Sequence, residues 1–111
     1  MRPKPPPGTV LARLDDLPDP GARASDWEGG AVVLIRRGEI VTAFCNLCPH
    51  AGLPLCLPDG RGLLHQGETL VCPVHGASFD VSSGACTGGP AAGDRLAAID
   101  VEIIGSEIRA V

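Results

Sequence analysis

Four side chains could do chemistry together: Cys48 and His50, then Cys72 and His75 beyond an interval of 21 residues (51–71). Each pair sits in a short loop. Both cysteines precede a proline, Pro49 or Pro73, and both histidines are followed closely by a glycine, Gly52 or Gly76. Proline restricts the backbone and glycine frees it, so such loops can wrap a compact inorganic ligand. Two thiolates and two imidazoles satisfy a tetrahedral zinc ion or an iron-sulfur cluster. A zinc site more often takes a Cys-x-x-Cys knuckle from one loop, whereas here each loop offers one ligand of each kind. That alternation suits a two-iron cluster with both cysteines on one iron and both histidines on the other, without deciding the matter.

Rigid elements must hold these loops. The runs Ala31-Val32-Val33-Leu34-Ile35-Arg36 and Glu39-Ile40-Val41-Thr42-Ala43-Phe44, joined through Arg37-Gly38, read as a β-hairpin that delivers the chain into the first loop. Thr69-Leu70-Val71 is a short strand feeding Cys72, and Ala77-Ser78-Phe79-Asp80-Val81 is the returning strand before a turn at Ser82-Ser83-Gly84. Thr9 to Leu14 is expected to be a first strand. Leu96 to Ile104 and Glu107 to Val111 form a closing hairpin around Gly105-Ser106. The stretch from Asp15 to Gly30, dense in Asp, Pro and Gly, predicts turns with Trp27 folded back as an apolar anchor. Pro54 to Gly67 reads as irregular apart from Leu63-Leu64, and residues Met1 to Gly8 as an extended, proline-rich lead-in. No amphipathic helix is expected. The fold class is therefore all-β, with a smaller loop-built subdomain inserted between strands.

Length and composition agree with one small domain. The chain has 111 residues, 44% of them hydrophobic, and a net charge of -4, which argues against disorder. Aromatics are only 3%, so Val, Ile, Leu and Ala must build the core, and a bound cofactor would help hold it. The excess of acid gives no support for nucleic-acid binding. No segment approaches the ~20 apolar residues of a membrane helix, and the start has charge without a hydrophobic region behind it. A cytoplasmic protein is the expectation. Five cysteines, two of them beside histidines, favour metal binding over a disulfide framework. Cys45, Cys56 and Cys86 are expected to be small buried hydrophobes. His65 is expected at the surface, Trp27 and Phe79 in packing roles, and Asp15, Asp16, Asp19, Asp26 and Glu28 in a solvated loop, with a docking patch conceivable.

The two loops, Cys48-Pro49-His50-Ala51-Gly52 and Cys72-Pro73-Val74-His75-Gly76-Ala77-Ser78-Phe79-Asp80, resemble the Rieske iron-sulfur signature. The resemblance takes in the hairpin before the first loop, the turn at Gly84, the Gly89-Pro90-Ala91 segment and the final hairpin, leaving out the first eight residues. It is closest in character to the Rieske ferredoxins of bacterial oxygenase systems. It implies an antiparallel β-sandwich carrying a cluster-binding subdomain at about 45–82, within a single domain spanning 1–111. It further implies one 2Fe-2S cluster, with Cys48 and Cys72 on an inner iron and His50 and His75 on an outer iron near the surface. Neutral imidazoles in place of two thiolates make such a cluster easier to reduce. Rieske proteins of respiratory complexes add a cysteine to each loop where this chain has Leu53 and Val74, so no disulfide between the loops is expected. They also carry serine and tyrosine where this chain has Ala77 and Phe79, which cannot donate to the cluster. These departures imply the lower part of the Rieske range of roughly -150 to +300 mV.

The function so implied is that of a one-electron carrier, with no catalytic residue of its own. A flavin-containing reductase would be its donor and a terminal oxygenase its acceptor, each met transiently by a monomer. A catalytic oxygenase subunit needs a further mononuclear iron site, commonly two histidines and a carboxylate. With His50 and His75 committed, only His65 remains. Two other readings stand beside the carrier: a Rieske subunit of a larger oxidoreductase complex, and a structural Cys2His2 zinc module.

Overall fold

A computed structural model of the chain describes residues 4–48, 53–74, 76–89 and 93–111. Its centre is a pair of strands in which most side chains are apolar. Strand β3 (Gly30–Arg37) pairs antiparallel with β4 (Ile40–Cys45), from Val32 opposite Cys45 to Arg37 opposite Ile40. Successive strand residues point to opposite faces. Val32 and Leu34 accordingly join one core, with Ala43, Cys45, Leu11, Leu17, Ile99 and Ile108. Val33 and Ile35 join another, with Phe44, Leu70, Phe79, Val81 and both ligand-loop cysteines. A strand buried on both faces reads as a continuous apolar run rather than an alternation, which is why this hairpin was so plain in the sequence. Its two-residue loop is Gly38-Glu39, one residue later than expected, because Arg37 still pairs with Ile40.

Three antiparallel sheets stack around this pair. The middle sheet has the order β2-β3-β4-β9, with β2 at Gly21–Trp27 and β9 at Ala98–Ile99. On one face lies a three-stranded sheet of β1 (Val10–Arg13), β11 (Glu107–Ala110) and β10 (Val101–Ile104). On the other lies the sheet that carries the second ligand loop: β5 (Leu63–His65), β6 (Thr69–Val71), β7 (Ser78–Asp80) and β8 (Cys86–Gly88). Polar ties cross between layers. The Ser25 hydroxyl on β2 donates to the Leu11 carbonyl on β1. The Thr42 hydroxyl on β4 donates to the Val81 carbonyl just after β7, at 2.8 Å.

Several sequence expectations need correction. The stretch from Asp15 to Gly30 is not only turns, since β2 occupies Gly21–Trp27 and pairs with β3 over its whole length, from Gly21 opposite Arg36 to Trp27 opposite Gly30. Leu14–Asp16 forms a short 3-10 turn, held by the Arg36 guanidinium donating to the Leu14 carbonyl at 3.0 Å. The segment between the ligand loops is more regular than expected: β5 pairs with β6, and Cys56 bridges Gly62. The final hairpin keeps its Gly105-Ser106 turn, but its first arm is split, Ala98–Ile99 pairing with β4 and Val101–Ile104 with β11. Trp27 does anchor, packing half-buried on the core that contains Leu11 and Ile108.

Candidate metal centre

The first loop leaves β4 through a bend at Asn46. The Asn46 N–H donates to the Ala31 carbonyl at 3.1 Å, which keeps the chain against β3 for one residue past the strand. Cys48 follows, only 1% exposed, and its N–H donates to the Leu53 carbonyl at 2.8 Å. That bond brings the two ends of the segment together across residues 49–52. His50 lies outside the described residues, as does Gly52.

The second loop is the connection between β6 and β7. Cys72, 2% exposed, donates its N–H to the Ala77 carbonyl at 2.7 Å, and the Gly76 N–H returns to the Cys72 carbonyl at 3.0 Å. Gly76 has φ +76°, the left-handed region that a residue with a Cβ rarely adopts, so glycine is required for that return. His75 lies outside the described residues. Gly89 closes the loop from behind: a Cβ placed on it would stand 2.8 Å from the Ala77 Cα and 3.1 Å from the Gly76 carbonyl oxygen. The backbone of 88–89 therefore lies directly on the peptide after the second ligand pair.

The structure brings Cys48 and Cys72 together in one buried cluster with Leu55, Leu70, Ala77, Phe79, Val81 and Leu96. The donor chemistry fits the cofactor the sequence implies, since two cysteine thiols from two tight loops share surroundings that exclude water. Among the described residues no three His, Cys, Asp or Glu side chains gather at one point; 49–52 and 75 lie outside those residues. The residues next to them in sequence are apolar and partly open to solvent, Leu53 at 39% and Val74 at 48% exposed. These are the two positions where respiratory relatives were expected to carry extra cysteines, and no disulfide links the loops here. The two residues also line a groove of about 630 Å³, with Arg23, Asp26, Asn46 and Cys56 on its other sides.

The remaining candidates fall mostly where expected. Cys45 and Cys56 are buried, but Cys86 is only half-buried and its thiol donates to the Gly88 carbonyl at 3.2 Å. His65 is exposed, and Phe79 is fully buried. Asp15, Asp16, Asp19, Asp26 and Glu28 are all exposed, although Asp26 belongs to β2 and Asp19 accepts from the Gly38 N–H at 2.8 Å. Two features escaped the sequence reading. Burial pushes the Cys56 thiol up to about 11, with the Arg23 charge opposing. Asp80 is held below the ordinary carboxylate range by hydrogen bonds from the Ser82 and Ser83 hydroxyls, each at 2.7 Å, which fasten the turn after β7. The sequence Asp80-Val81-Ser82-Ser83 carries that second signal, because serine and aspartate commonly bond locally in turns.

Comparison with known proteins agrees with this geometry. Residues 9–103 match the family model described as the Rieske [2Fe-2S] domain. The ferredoxin of carbazole 1,9a-dioxygenase from Nocardioides aromaticivorans IC177 is 34% identical and superposes with a TM-score of 0.80, covering 95% of this chain and 97% of that one. The Sphingomonas yanoikuyae B1 ferredoxin is 25% identical with a TM-score of 0.77, covering 93% and 96%. Among curated proteins, apoptosis-inducing factor 3 of Mus musculus and of Homo sapiens is 32% identical over 75 residues, or 68% of this chain. The chain spans only 12% of the length of those two relatives.

Proposed function

This chain belongs to the Rieske [2Fe-2S] domain family, and on that premise we propose that it is a one-electron carrier, taking electrons from a flavin-containing reductase and passing them to a terminal oxygenase. The observation that carries the reading is coverage. The chain spans 97% of a 34%-identical protein named as the ferredoxin of an oxygenase system. In this reading Cys48, Cys72, His50 and His75 hold one 2Fe-2S cluster, which supplies a reversible one-electron couple when bound. The chain's own part is to keep the cysteine side dry within the core and to offer the exposed apolar side chains of Leu47, Leu53 and Val74 as a contact surface. We treat residues 1–111 as one domain, with the cluster-binding part at about 45–82 inserted into the β framework. A cytoplasmic monomer with transient contacts fits this role, and no helix among the described residues is long and apolar enough to cross a membrane.

Coulometric titration followed by reconstitution tests the proposal. One electron per chain should be taken up reversibly, and product formation by a terminal oxygenase fed through a flavin-containing reductase should depend on added protein. An oxygenase that turns over equally well without it, across a panel of such systems, would count against the carrier role. A second reading has support in the curated relatives, in which the matching stretch is a small part of a much longer chain. In that case the domain serves a larger oxidoreductase, and it should copurify with that partner at stoichiometric ratio rather than run alone.

A further inference from the structure

Asn46 is the one side chain among the described residues that is both buried and polar or charged, at 7% exposure. Its Oδ1 accepts from the Leu55 N–H at 2.7 Å, and Leu55 itself is wholly buried. One residue, Leu47, separates Asn46 from Cys48, whose N–H reaches the Leu53 carbonyl at 2.8 Å. The first ligand segment is thus closed twice, once by backbone and once by the Asn46 side chain. An apolar side chain of similar size would leave the Leu55 N–H buried without an acceptor, an arrangement that native proteins avoid. The Asn46 backbone is fixed in turn by the Ala31 carbonyl, so the side-chain closure is referenced to β3 rather than to the loop alone.

We propose that Asn46 is a positioning residue for the cluster: its carboxamide ties Asn46 to Leu55 and so holds Cys48, between them, in one fixed arrangement. The inference rests on the reading in which Cys48 and His50 are ligands. A brace of this kind acts on the ligand environment, not just on the stability of the sheet. It differs from an ordinary core contact in being replaceable by any side chain that offers an oxygen at the same reach.

The test compares the holoprotein with its Asn46→Ala and Asn46→Asp variants. Three quantities are read: the EPR line shape of the reduced state, the rate of iron release to a chelator, and the thermal midpoint. Asn46→Ala should broaden the EPR lines and speed iron release about tenfold, the factor carried by about 1.4 kcal/mol. Asn46→Asp keeps an oxygen acceptor for the Leu55 N–H and should restore both line shape and slow release. A merely structural contact would lower the thermal midpoint of Asn46→Ala while leaving line shape and iron release as in the wild type, and that result overturns the proposal. So does an Asp variant no better than the Ala variant. Should Asn46→Ala yield no folded protein, hydrogen exchange at the Leu55 amide decides: it should be slow in the wild type and in Asn46→Asp, and rapid exchange in the wild type removes the brace. Wild-type protein holding zinc in place of iron and sulfide would remove the underlying ligand reading, whereas a 2Fe-2S wild type with indifferent Asn46 variants removes this inference alone.

Discussion

At the scale of single residues, Ala77 gives the sharpest handle on the electronic properties of the centre. It is fully buried, its carbonyl accepts from the Cys72 N–H, and it offers no side-chain donor. A hydroxyl here would stabilise a more negative, reduced cluster more than an oxidised one. Ala77→Ser should therefore raise the reduction potential. A differential hydrogen-bond energy of about 1 to 2 kcal/mol, at about 59 mV per 1.4 kcal/mol for one electron, corresponds to roughly 40 to 85 mV. Voltammetry reading an intact cluster with an unchanged or lower potential would mean that a hydroxyl at position 77 does not donate to the cluster. Cys56 makes a second test. With its thiol pushed up to about 11 by burial, it is neutral at ordinary pH and should resist iodoacetamide there, reacting only as the pH climbs toward that value. The sign for stability follows: a group whose folded value is raised supports the fold below the ordinary thiol range and loses that support as pH rises through its folded value. Fast alkylation near neutral pH would contradict the burial seen here. Asp80 has the opposite sign. Its depressed value supports the turn at Ser82-Ser83 above the ordinary carboxylate range, and that support fades as the pH falls below it.

At the scale of elements, the centre depends on how the third sheet is fastened to the middle one. The Thr42 hydroxyl bond to the Val81 carbonyl is one such fastening, and Thr42→Val removes the donor while keeping the shape. The expected loss is about 1 kcal/mol, seen as a thermal midpoint lower by roughly 4 °C. No change in midpoint would mean that water replaces the donor without cost. Gly89→Ala should do more harm, because the added Cβ meets backbone at Ala77 and the residue sits at φ +84°. The elements the sequence revealed were those whose residues carry the signal themselves. The β3-β4 hairpin announces itself through the apolar runs Val32 to Ile35, buried throughout, and Ile40 to Phe44, exposed at Ile40 and buried by Ala43 and Phe44. Strand β2 does not, because Gly-Ala-Arg-Ala-Ser-Asp-Trp has no β-branched residue, and its extended form is imposed by pairing with β3. Strand β8, Cys-Thr-Gly, is likewise an edge recruited by β7. The two loop cysteines stood out by type and spacing, and the fold buries both in one core, while the cluster roles given to them come from the resemblance. Asn46 did not stand out, since its role depends on Leu55 coming back to meet it, a contact across nine positions that no local pattern encodes.

At the scale of the whole molecule, a net charge of -4 means that encounter with a partner bearing a basic patch is steered by charge. Stopped-flow transfer rates should fall as salt rises, because exposed charges farther apart than about 10 Å are screened at 0.1 M ionic strength. The reduction potential of the cluster should change little over the same range. A flat rate profile would place docking on the apolar surface of Leu47, Leu53 and Val74 instead of on charge. All of this presupposes the centre itself, two loops of one β domain sharing a 2Fe-2S cluster between two cysteines and two histidines. Metal and sulfide analysis of the anaerobically purified protein, joined to pulsed EPR of its reduced state, tests that most directly. Two irons and two sulfides per chain are expected, with nitrogen couplings from two imidazoles, one of which should disappear or change in His50→Ala or His75→Ala if any cluster survives the substitution. One zinc per chain, with no sulfide and no EPR signal on reduction, would contradict it.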